Sequence, residues 1–393
     1  MSRLAIDGGA KAITRNQDEA LRWPRMTDEE LEAVSALVRA GDISVSDEPR
    51  KLESELGSYI GVPHALAEVN GTAALHSAFH ALGVGPGDEV LCTSYTYWAT
   101  VMPAAVLGAK VVFVEIDPRT LNIDVEDLKS RITGKTKAIV VVHLWGLPCD
   151  MDSINAVAAE HGIPVVEDAA HAHGAEYRGK KAGSLTAISA FSFQASKNMP
   201  AGEGGMLLTS DEELYRRAVV LGHYRETGQL PEPYKKYRHT SGGFKYRMSP
   251  LHAAIARVQL RHLDRRNARR NRNIETLHAV LRELPGFAVP EVPADVNRVY
   301  YENNVVYDET QTGVPLERLI EILRAEGARV RGDRYPLLHM QPYFVERGSD
   351  PDALPVTRRA VERILSLPTF PGDDGSLVEE YGAAFRKVAE TFR

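Results

Sequence analysis

Residues 137–166 read KAIVVVHLWGLPCDMDSINAVAAEHGIPVV, the pattern of a strand, a helix and a second strand. The apolar runs Lys137–Val142 and Ile163–Val166 are too short for helices and are apolar on both faces, as buried parallel strands are. Between them, Met151–His161 has the pattern of a helix that Asp150 caps. The segment therefore predicts one unit of an α/β sheet.

The same alternation extends towards the N-terminus. Ala109–Val114 is another short apolar run, and the apolar residues of 75–82 recur at helical spacing after the cap signal at Asn70. Strand and helix alternate across roughly residues 65–210, which predicts the α/β class, with a large, mainly parallel mixed sheet covered by helices on both faces. Ligands of such sheets bind at the carboxyl ends of the strands.

The chain divides into three expected regions: an N-terminal arm at 1–25, a large sheet domain at 26–255 and a smaller C-terminal α+β domain at 256–393. The arm shows no sustained period, and Trp23 marks its end. A long helix that begins at Pro250, with Ser249 as its N-cap, leads into the small domain. There, the runs 298–307 and 328–331 are strand-like.

The composition is that of an ordinary folded protein, with 44% hydrophobic and 25% charged residues among 393. A formal net charge of −6 provides no broad positive field for a nucleic acid or an anionic membrane. Cys92 and Cys149 are too few for a disulfide framework and are expected to be buried. Because no signal core or apolar run of about 20 residues occurs, we expect a cytoplasmic protein.

A phosphate site is indicated where a helix opens with Gly71, Thr72 and Ala73. Small residues let an anion approach, free N–H groups and the helix dipole favour it, and Thr72 adds a hydroxyl. Ser192 supplies a second hydroxyl. The alternative is a plain helix cap without a ligand.

The strand Val165–Asp168 ends in two carboxylates at the expected ligand-binding edge. Paired with a protonated ring nitrogen, Asp168 would keep a pyridine cationic, so that the ring withdraws electrons from a carbanion at the attached carbon. The alternative is an aspartate that caps the next helix. His171 and His173 follow, but no further ligand recurs nearby, so we reject a metal site and expect His171 to hydrogen-bond a ring hydroxyl.

Lys197 ends a polar turn that follows the alternating strand residues Phe191–Phe193. A lysine held in an apolar site near another cation loses part of its charge and forms an imine with an aldehyde. Most lysines after a strand are solvated turn residues, but here the glycine-rich loop Gly202–Gly205 follows and would let main chain crowd a ligand. Tyr97 is placed to stack on a flat ring, whereas Trp98 is expected to pack in the core. The combination predicts a phosphorylated aromatic aldehyde as ligand.

Residues 225–248 are basic and aromatic and are expected to form a long functional loop. Its end carries Lys245 and Arg247, which can reach a phosphate or an anionic substrate across a subunit boundary; the alternative is a solvated loop. Arginines crowd 261–272, but their spacing around Asp264 indicates a solvated or interfacial helix face rather than a nucleic-acid site. The glycines of 83–87 end a helix before a strand, the reverse of the order that a dinucleotide needs.

The ordered set of motifs resembles the DegT/StrS family of pyridoxal-phosphate-dependent sugar and aminocyclitol aminotransferases, which have the aspartate-aminotransferase fold, fold type I. The resemblance covers nearly the whole chain. Its most specific segments are 70–75, 142–152, 167–171 and 191–205. It implies pyridoxal 5'-phosphate as cofactor and a homodimer with two shared active sites.

By this resemblance, Lys197 is the Schiff-base lysine and Asp168 binds the pyridine nitrogen, which makes them the expected catalytic residues. Thr72 and Ser192 hold the phosphate at the helix that Gly71 and Ala73 open, and Tyr97 is the stacking aromatic.

Two positions depart from the family pattern. His171 stands where many members have a glutamine that bonds the ring hydroxyl, and Lys245 stands where many have an asparagine that reaches the partner subunit's phosphate. Arg247 is expected to contact substrate, and His339 matches a C-terminal segment that borders the substrate in relatives.

Because Lys197 is kept, the resemblance implies transamination rather than the dehydration catalysed by relatives that have histidine there. We expect a ping-pong transfer of an amino group from L-glutamine or L-glutamate to a keto group of a cyclitol or sugar, in secondary-metabolite or aminosugar biosynthesis. A nucleotide-diphosphate-linked keto-sugar is the alternative acceptor, and a non-catalytic, cofactor-binding regulator is the remaining alternative.

Overall fold

The computed structural model describes residues 3–332, 335–373 and 375–392. The β-strands are β1 His64–Glu68, β2 Glu89–Thr93, β3 Lys110–Val114, β4 Thr136–Val142, β5 Val165–Asp168, β6 Glu176–Tyr177, β7 Lys180–Lys181, β8 Ile188–Ser192, β9 Gly205–Thr209, β10 Phe287–Ala288, β11 Val296–Asn297, β12 Asn303–Tyr307 and β13 Ile364–Leu367. The α-helices are α1 Asp18–Leu21, α2 Asp28–Ala40, α3 Glu48–Ile60, α4 Gly71–Ala81, α5 Met102–Val106, α6 Val125–Arg131, α7 Met151–Glu160, α8 Glu212–Gly222, α9 Tyr224–Thr227, α10 Pro250–Arg282, α11 Leu316–Ala325, α12 Pro342–Val345, α13 Pro355–Val361 and α14 Ser376–Ala389.

The central sheet has the strand order β1-β9-β8-β5-β4-β2-β3. The pairs from β8 across to β3 are parallel, whereas β9 runs antiparallel to both β8 and β1. Val142, Asp168 and Ala190 lie side by side in the register of β4, β5 and β8. The carboxyl ends of these strands therefore share one edge, and the predicted mainly parallel, mixed α/β sheet is confirmed.

Both faces of the sheet are covered. In β4, Val140 and Val142 join an apolar cluster on one face with α4, while Ile139 and Val141 join a second cluster with α6 and α7 on the other. Alternate residues of a strand point to opposite faces, so a strand that is apolar throughout needs a core on each side. This is the reason for the continuous apolar runs in the sequence.

Of the strand predicted at 298–307, only 303–307 forms, as β12. Residues between β11 and β12 leave the strand path because the Val299 and Tyr301 N–H groups donate to the carbonyls of Gly146 and Trp145, at 3.1 and 3.3 Å. The prediction of a strand at 328–331 is wrong, since within this run the structure has only an isolated bridge from Arg331 to Ser366.

The C-terminal part forms a second core between α10, α11, α14 and the sheet β10-β12-β13. The N-terminal arm packs on it, since Leu4 and Ile13 are buried there and the Ile13 N–H donates to the Glu326 carbonyl at 2.9 Å. Helix α10 runs without a break across the expected boundary at 255/256. The division into an arm at 1–25 and domains at 26–255 and 256–393 stays a proposal.

The basic aromatic segment 225–248 is less irregular than expected, because α9 begins it and a 3-10 turn covers Tyr234–Tyr237. Pro250 opens α10 as predicted, although the Ser249 side chain makes no capping hydrogen bond. Both cysteines are buried, as expected. Among the described helices, none is long and apolar enough to cross a membrane.

Candidate functional site

A cavity of about 550 Å³ lies at the carboxyl edge of the central sheet, where β5 and β8 end beside the start of α4. It brings together seven of the predicted site residues: Gly71, Thr72, Tyr97, Asp168, His171, Ser192 and Lys197. Its walls also include Gln194, Ser196 and Glu203 from the motif at 191–205, and residues that the sequence did not indicate, chiefly Thr100, Tyr301 and Tyr335.

The start of α4 forms one end of the cavity. The Asn70 side chain caps the helix by accepting a hydrogen bond from the Ala73 N–H at 2.8 Å. Ala73 is therefore already engaged, whereas the N–H groups of Gly71 and Thr72 lie in the first turn, where a helix offers no acceptor. A Cβ at Gly71 would come within 2.8 Å of the Ser192 Cβ, so only glycine lets the start of α4 approach the end of β8 this closely. The geometry suits an anion held by N–H groups and two hydroxyls.

Asp168 is the last residue of β5 and is buried. Burial raises the pKa of its carboxyl, while hydrogen bonds from the Thr100 hydroxyl at 2.7 Å and the Ala170 N–H at 3.2 Å favour the ionised form. A buried carboxylate in a cavity gains most from a cationic partner. Asp168 thus has the environment of a counter-ion.

Glu167, the second carboxylate of this strand, has a different role. It accepts hydrogen bonds from the N–H groups of Gly183, Leu185 and Thr186 at 2.6, 2.8 and 2.9 Å, and His143 lies 2.9 Å from it on the same face. Adjacent strand residues point to opposite faces, so only one of the two carboxylates can reach the cavity. Glu167 fixes the segment after β7 instead.

Lys197 lies in the turn after β8, and its Nζ is 4.3 Å from the ring centroid of Tyr301. Burial lowers its pKa to about 8, against the opposing effects of Asp168 and Glu302. Its main-chain carbonyl accepts a hydrogen bond from the Trp23 indole at 3.1 Å. A lysine with this pKa is substantially neutral near pH 8 and can act as a nucleophile or a base.

His171 is buried beside Lys197, and its ring stacks on Tyr301 with centroids 4.3 Å apart. Its pKa is held well below the usual range by burial and by the positive charges of Lys197 and His173. His173 points elsewhere, with its ring between Phe191 and Phe193. Across the described residues, no group of three or more His, Cys, Asp or Glu side chains has the arrangement of a metal site.

Tyr97 lines the cavity with 45% of its surface exposed, 5.0 Å from the ring of Trp98. The prediction that Trp98 packs in the core is wrong, because 47% of its surface is exposed. Trp98 lies between the cavity and an apolar groove formed with Val69, Val106 and Phe244. Trp98 is therefore exposed because it lines a groove that no other segment of the described chain covers.

Four predicted residues do not line the cavity of their own chain: Ala73, whose N–H is bonded to the Asn70 side chain, and Lys245, Arg247 and His339. Lys245 is exposed on its loop, and Arg247 lines a different crevice, where Nη1 donates to the Ser44 carbonyl at 3.4 Å. His339 is buried, with Nδ1 2.6 Å from the Ser94 hydroxyl, and it borders a separate cavity beside β3. Their substrate and cofactor roles remain predictions.

Thr100, Tyr301 and Tyr335 were missed for identifiable reasons. Thr100 bonds Asp168 from 68 positions away, and Tyr301 and Tyr335 come from the C-terminal part of the chain. The adjacent Tyr300 and Tyr301 offered a signal, because two successive large aromatic side chains seldom both face one core. Tyr300 takes the core side and Tyr301 the cavity.

Comparison with known proteins identifies the family. Residues 24–384, nearly the whole chain, match the family described as DegT/DnrJ/EryC1/StrS aminotransferases. The chain belongs to this family. The DegT/DnrJ/EryC1/StrS enzymes are aminotransferases that depend on pyridoxal phosphate, so the predicted enzyme class, fold type and cofactor are confirmed.

Individual relatives are similar over almost their full length. The chain is 37% identical over 379 residues to the "Pleiotropic regulatory protein" of Geobacillus stearothermophilus, covering 96% of this chain and 98% of the relative. It is 34% identical over 382 residues to the "Spore coat polysaccharide biosynthesis protein SpsC" of Bacillus subtilis, with the same coverage. The crystal structure of an aminotransferase from Psychrobacter cryohalolentis superposes with a TM-score of 0.88 at 30% identity, covering 94% of this chain and 99% of that one.

The residues of the cavity fit pyridoxal phosphate. The close approach at Gly71, with the adjacent N–H groups and the hydroxyls of Thr72 and Ser192, suits the phosphate. Asp168, buried with no cation bonded to it in the described chain, suits a protonated ring nitrogen. Lys197 has the lowered pKa of an amine that attacks an aldehyde.

Proposed function

We propose that this chain transfers an amino group from L-glutamine or L-glutamate to a keto group of a cyclitol or sugar, in two half-reactions. The observation that carries the proposal is the buried pair of Lys197 and Asp168 in one cavity of this aminotransferase fold. When bound, pyridoxal phosphate supplies an electron-withdrawing ring that stabilises negative charge at the carbon next to the transferred nitrogen.

Asp168 is proposed to act on the ring nitrogen of the cofactor. Its carboxylate would bind the protonated ring nitrogen of the cofactor, and the hydrogen bonds from Thr100 and Ala170 orient the carboxylate for that contact. Since the site is buried, little water competes for the carboxylate and the charge interaction is strong. Asp168 thereby keeps the ring able to withdraw electrons.

Lys197 moves the proton. Its pKa of about 8 makes the free amine available at near-neutral pH, so Nζ can accept a proton from the α-carbon of the amino donor and release it again within the site. The ring of Tyr301, 4.3 Å away, stabilises the protonated form of Nζ between those two events. Lys197 is therefore the general base and then the general acid.

The charge of the cavity walls supports a neutral acceptor rather than a nucleotide diphosphate. Among the described residues that line it, Lys197 is the one cationic side chain, whereas Asp168 and Glu203 are acidic. Tyr97, Trp98 and Tyr335 add aromatic surface, which packs well against the C–H face of a sugar or cyclitol ring. A diphosphate would require several cationic contacts.

We also propose a homodimer with shared sites. The apolar groove of Val69, Trp98, Val106 and Phe244 adjoins the cavity, and a second copy that covered it would bring the Lys245 loop to the neighbouring site. Lys245 and Arg247 would then supply the cations that the cavity lacks, for the cofactor's phosphate and for the donor's carboxylate. Light scattering tests this proposal, and a monomer at micromolar concentration would contradict it.

The alternative acceptor, a nucleotide-linked keto-sugar, is favoured by one observation, the cluster of Lys235, Lys236 and Arg238 on the same exposed loop. The regulator alternative is favoured by the name of the Geobacillus relative. A panel with L-glutamine and L-glutamate as donors, each paired with an inosose-type ketone or a nucleotide-linked keto-sugar as acceptor, separates the three. Product from the cyclitol alone supports the proposal, and no product with any acceptor supports the regulator.

A further inference from the structure

His171 is fixed by neighbours of two kinds, aromatic rings and a main-chain N–H. It follows β5 at the wall of the cavity, and only 3% of its surface is exposed. Its ring lies 4.3 Å from that of Tyr301 at an interplanar angle of 21°, and 6.4 Å from that of Tyr335 at 18°. These nearly parallel contacts leave the imidazole little freedom to rotate.

The second kind of neighbour is the main chain of Trp145, whose N–H donates to Nδ1 of His171 at 3.4 Å. A main-chain N–H can only donate, so Nδ1 must be the unprotonated nitrogen. A neutral imidazole carries one proton, which then lies on Nε2. The contact thus selects one of the two tautomers without any titratable partner.

Trp145 is held in an unusual conformation to make this contact. Its φ of 51° lies in the left-handed region, which is costly for a bulky residue. Its side chain is buried against Tyr95, and its carbonyl accepts from the Tyr301 N–H at 3.3 Å. One residue therefore contacts both His171 and the segment that carries the stacking ring. Local strain that survives in a folded protein is often tied to a functional site.

The surroundings disfavour the charged imidazolium. The titratable groups near the ring are Lys197, His173, Tyr301 and Tyr335. Lys197 and His173 both lower the pKa of His171, adding to the larger effect of burial. The described residues around it include no carboxylate that bonds the ring, so no negative charge would stabilise the doubly protonated imidazolium.

We propose that Trp145 and Tyr301 are positioning residues that hold His171 as a neutral donor, with its proton on Nε2, directed at the ring oxygen of the bound cofactor. The identity of that acceptor rests on the proposed function, whereas the tautomer does not. A neutral donor stabilises negative charge on the ring oxygen without adding a second cation beside Lys197.

Nitrogen-15 NMR of the imidazoles tests the tautomer directly, with the full-length protein free of cofactor. The chain has 13 histidines, and His171→Gln assigns the signal by difference. We expect a protonated Nε2 and an unprotonated Nδ1 that do not change between about pH 6 and pH 9. A proton on Nδ1, or conversion to the imidazolium in this range, would overturn the proposal.

Two substitutions of Tyr301 test the role of its ring. Tyr301→Phe keeps the stacking surface and should leave the tautomer unchanged, whereas Tyr301→Leu removes it and should let the second tautomer appear. Near-ultraviolet circular dichroism checks that both variants fold. A single unchanged tautomer in Tyr301→Leu would overturn the positioning role of Tyr301.

Addition of pyridoxal phosphate to the same sample tests the direction of the donor. We expect the Nε2 and H–Nε2 signals of His171 to shift while the tautomer is kept. Unmoved His171 signals despite bound cofactor would overturn the contact. If pyridoxal phosphate did not bind at all, the proposed function would fail, and the tautomer in the cofactor-free protein would still be decided.

Discussion

The indole Nε1 of Trp23 donates a hydrogen bond to the main-chain carbonyl of Lys197 at 3.1 Å. The same indole ring lies under the guanidinium of Arg270, 4.3 Å from its Cζ, and Arg270 in turn bonds Asn198, the residue after the lysine. The segment around Trp23 is thus attached to the turn that carries Lys197. A mutation at Trp23 should therefore affect both the stability of the protein and the position of Lys197.

Trp23→Phe should cost about 1 kcal/mol of unfolding free energy, because it removes one hydrogen bond and keeps most of the stacking on Arg270. We expect weaker cofactor binding as well, since the turn that carries Lys197 loses a constraint. Urea unfolding and cofactor titration measure the two effects. Unchanged values for both would show that the arm does not support the turn.

Lys197→Ala should abolish covalent capture of pyridoxal phosphate and reduce turnover by at least about 1,000-fold, because general acid–base transfer and the nucleophile are both lost. The matched control is Lys135→Ala, an exposed lysine on a turn before β4. Absorbance after gel filtration shows whether cofactor is retained. Turnover near the wild-type rate would refute the assignment of Lys197.

Asp168→Asn and Glu167→Gln should have opposite consequences although the two carboxylates are adjacent. Asp168→Asn should fold and bind cofactor but lose activity by about 100- to 1,000-fold, the effect of losing one preorganised electrostatic contact. Glu167→Gln should lose about 1–3 kcal/mol of stability, because an amide cannot accept from all the N–H groups that bond this carboxylate. Kinetics and thermal unfolding of both variants check the contrast. Lost stability in Asp168→Asn together with lost activity in a stable Glu167→Gln would contradict the prediction.

Capture of pyridoxal phosphate by the cofactor-free protein should accelerate as pH rises and level off above about pH 8. The reason is that burial lowers the pKa of Lys197 to about 8, so the reactive free amine accumulates through that pH rather than through the usual value of 10.5. Stopped-flow absorbance across a pH series measures the midpoint. A midpoint at the ordinary lysine value would mean that Lys197 is solvated.

The KM for the keto acceptor should change little with salt if the acceptor is neutral, because screening acts on charged partners. A nucleotide-linked acceptor would instead bind more weakly at high salt, and Lys235→Gln with Lys236→Gln would reproduce the loss. Initial rates at low and high sodium chloride, with each acceptor, distinguish the two. A strongly salt-dependent KM for the best acceptor would contradict the proposed neutral substrate.

The sheet could be predicted because its strands carry their own signal. β4 and α7 were placed from 137–166 within a residue or two, since buried strands and capped helices leave local patterns. The antiparallel direction of β9 and the break between β11 and β12 could not be predicted. Both depend on hydrogen bonds to distant segments, such as the bond from the Tyr301 N–H to the Trp145 carbonyl. The hydrophobic pattern of a local segment carries no information about such bonds.

The site divides in the same way. Asp168 and Lys197 follow strand ends, where the topology of an α/β sheet places ligands, and their cavity could be predicted from that rule. Tyr301 and Tyr335 enter from the C-terminal part of the chain, and only three-dimensional packing shows that they complete the wall. The predicted substrate role of His339 stays a prediction, because its imidazole is bonded to Ser94 and borders another cavity of this chain.

The proposed transamination is tested most directly by the visible absorbance of the purified protein loaded with pyridoxal phosphate. The absorbance is followed while L-glutamine or L-glutamate is added without an acceptor. We expect the band of the bound cofactor to disappear in a single turnover with at least one donor, and to return when a keto-cyclitol or keto-sugar is supplied. A band that persists with every amino donor, in a protein with Lys197 intact, would contradict the proposed transamination.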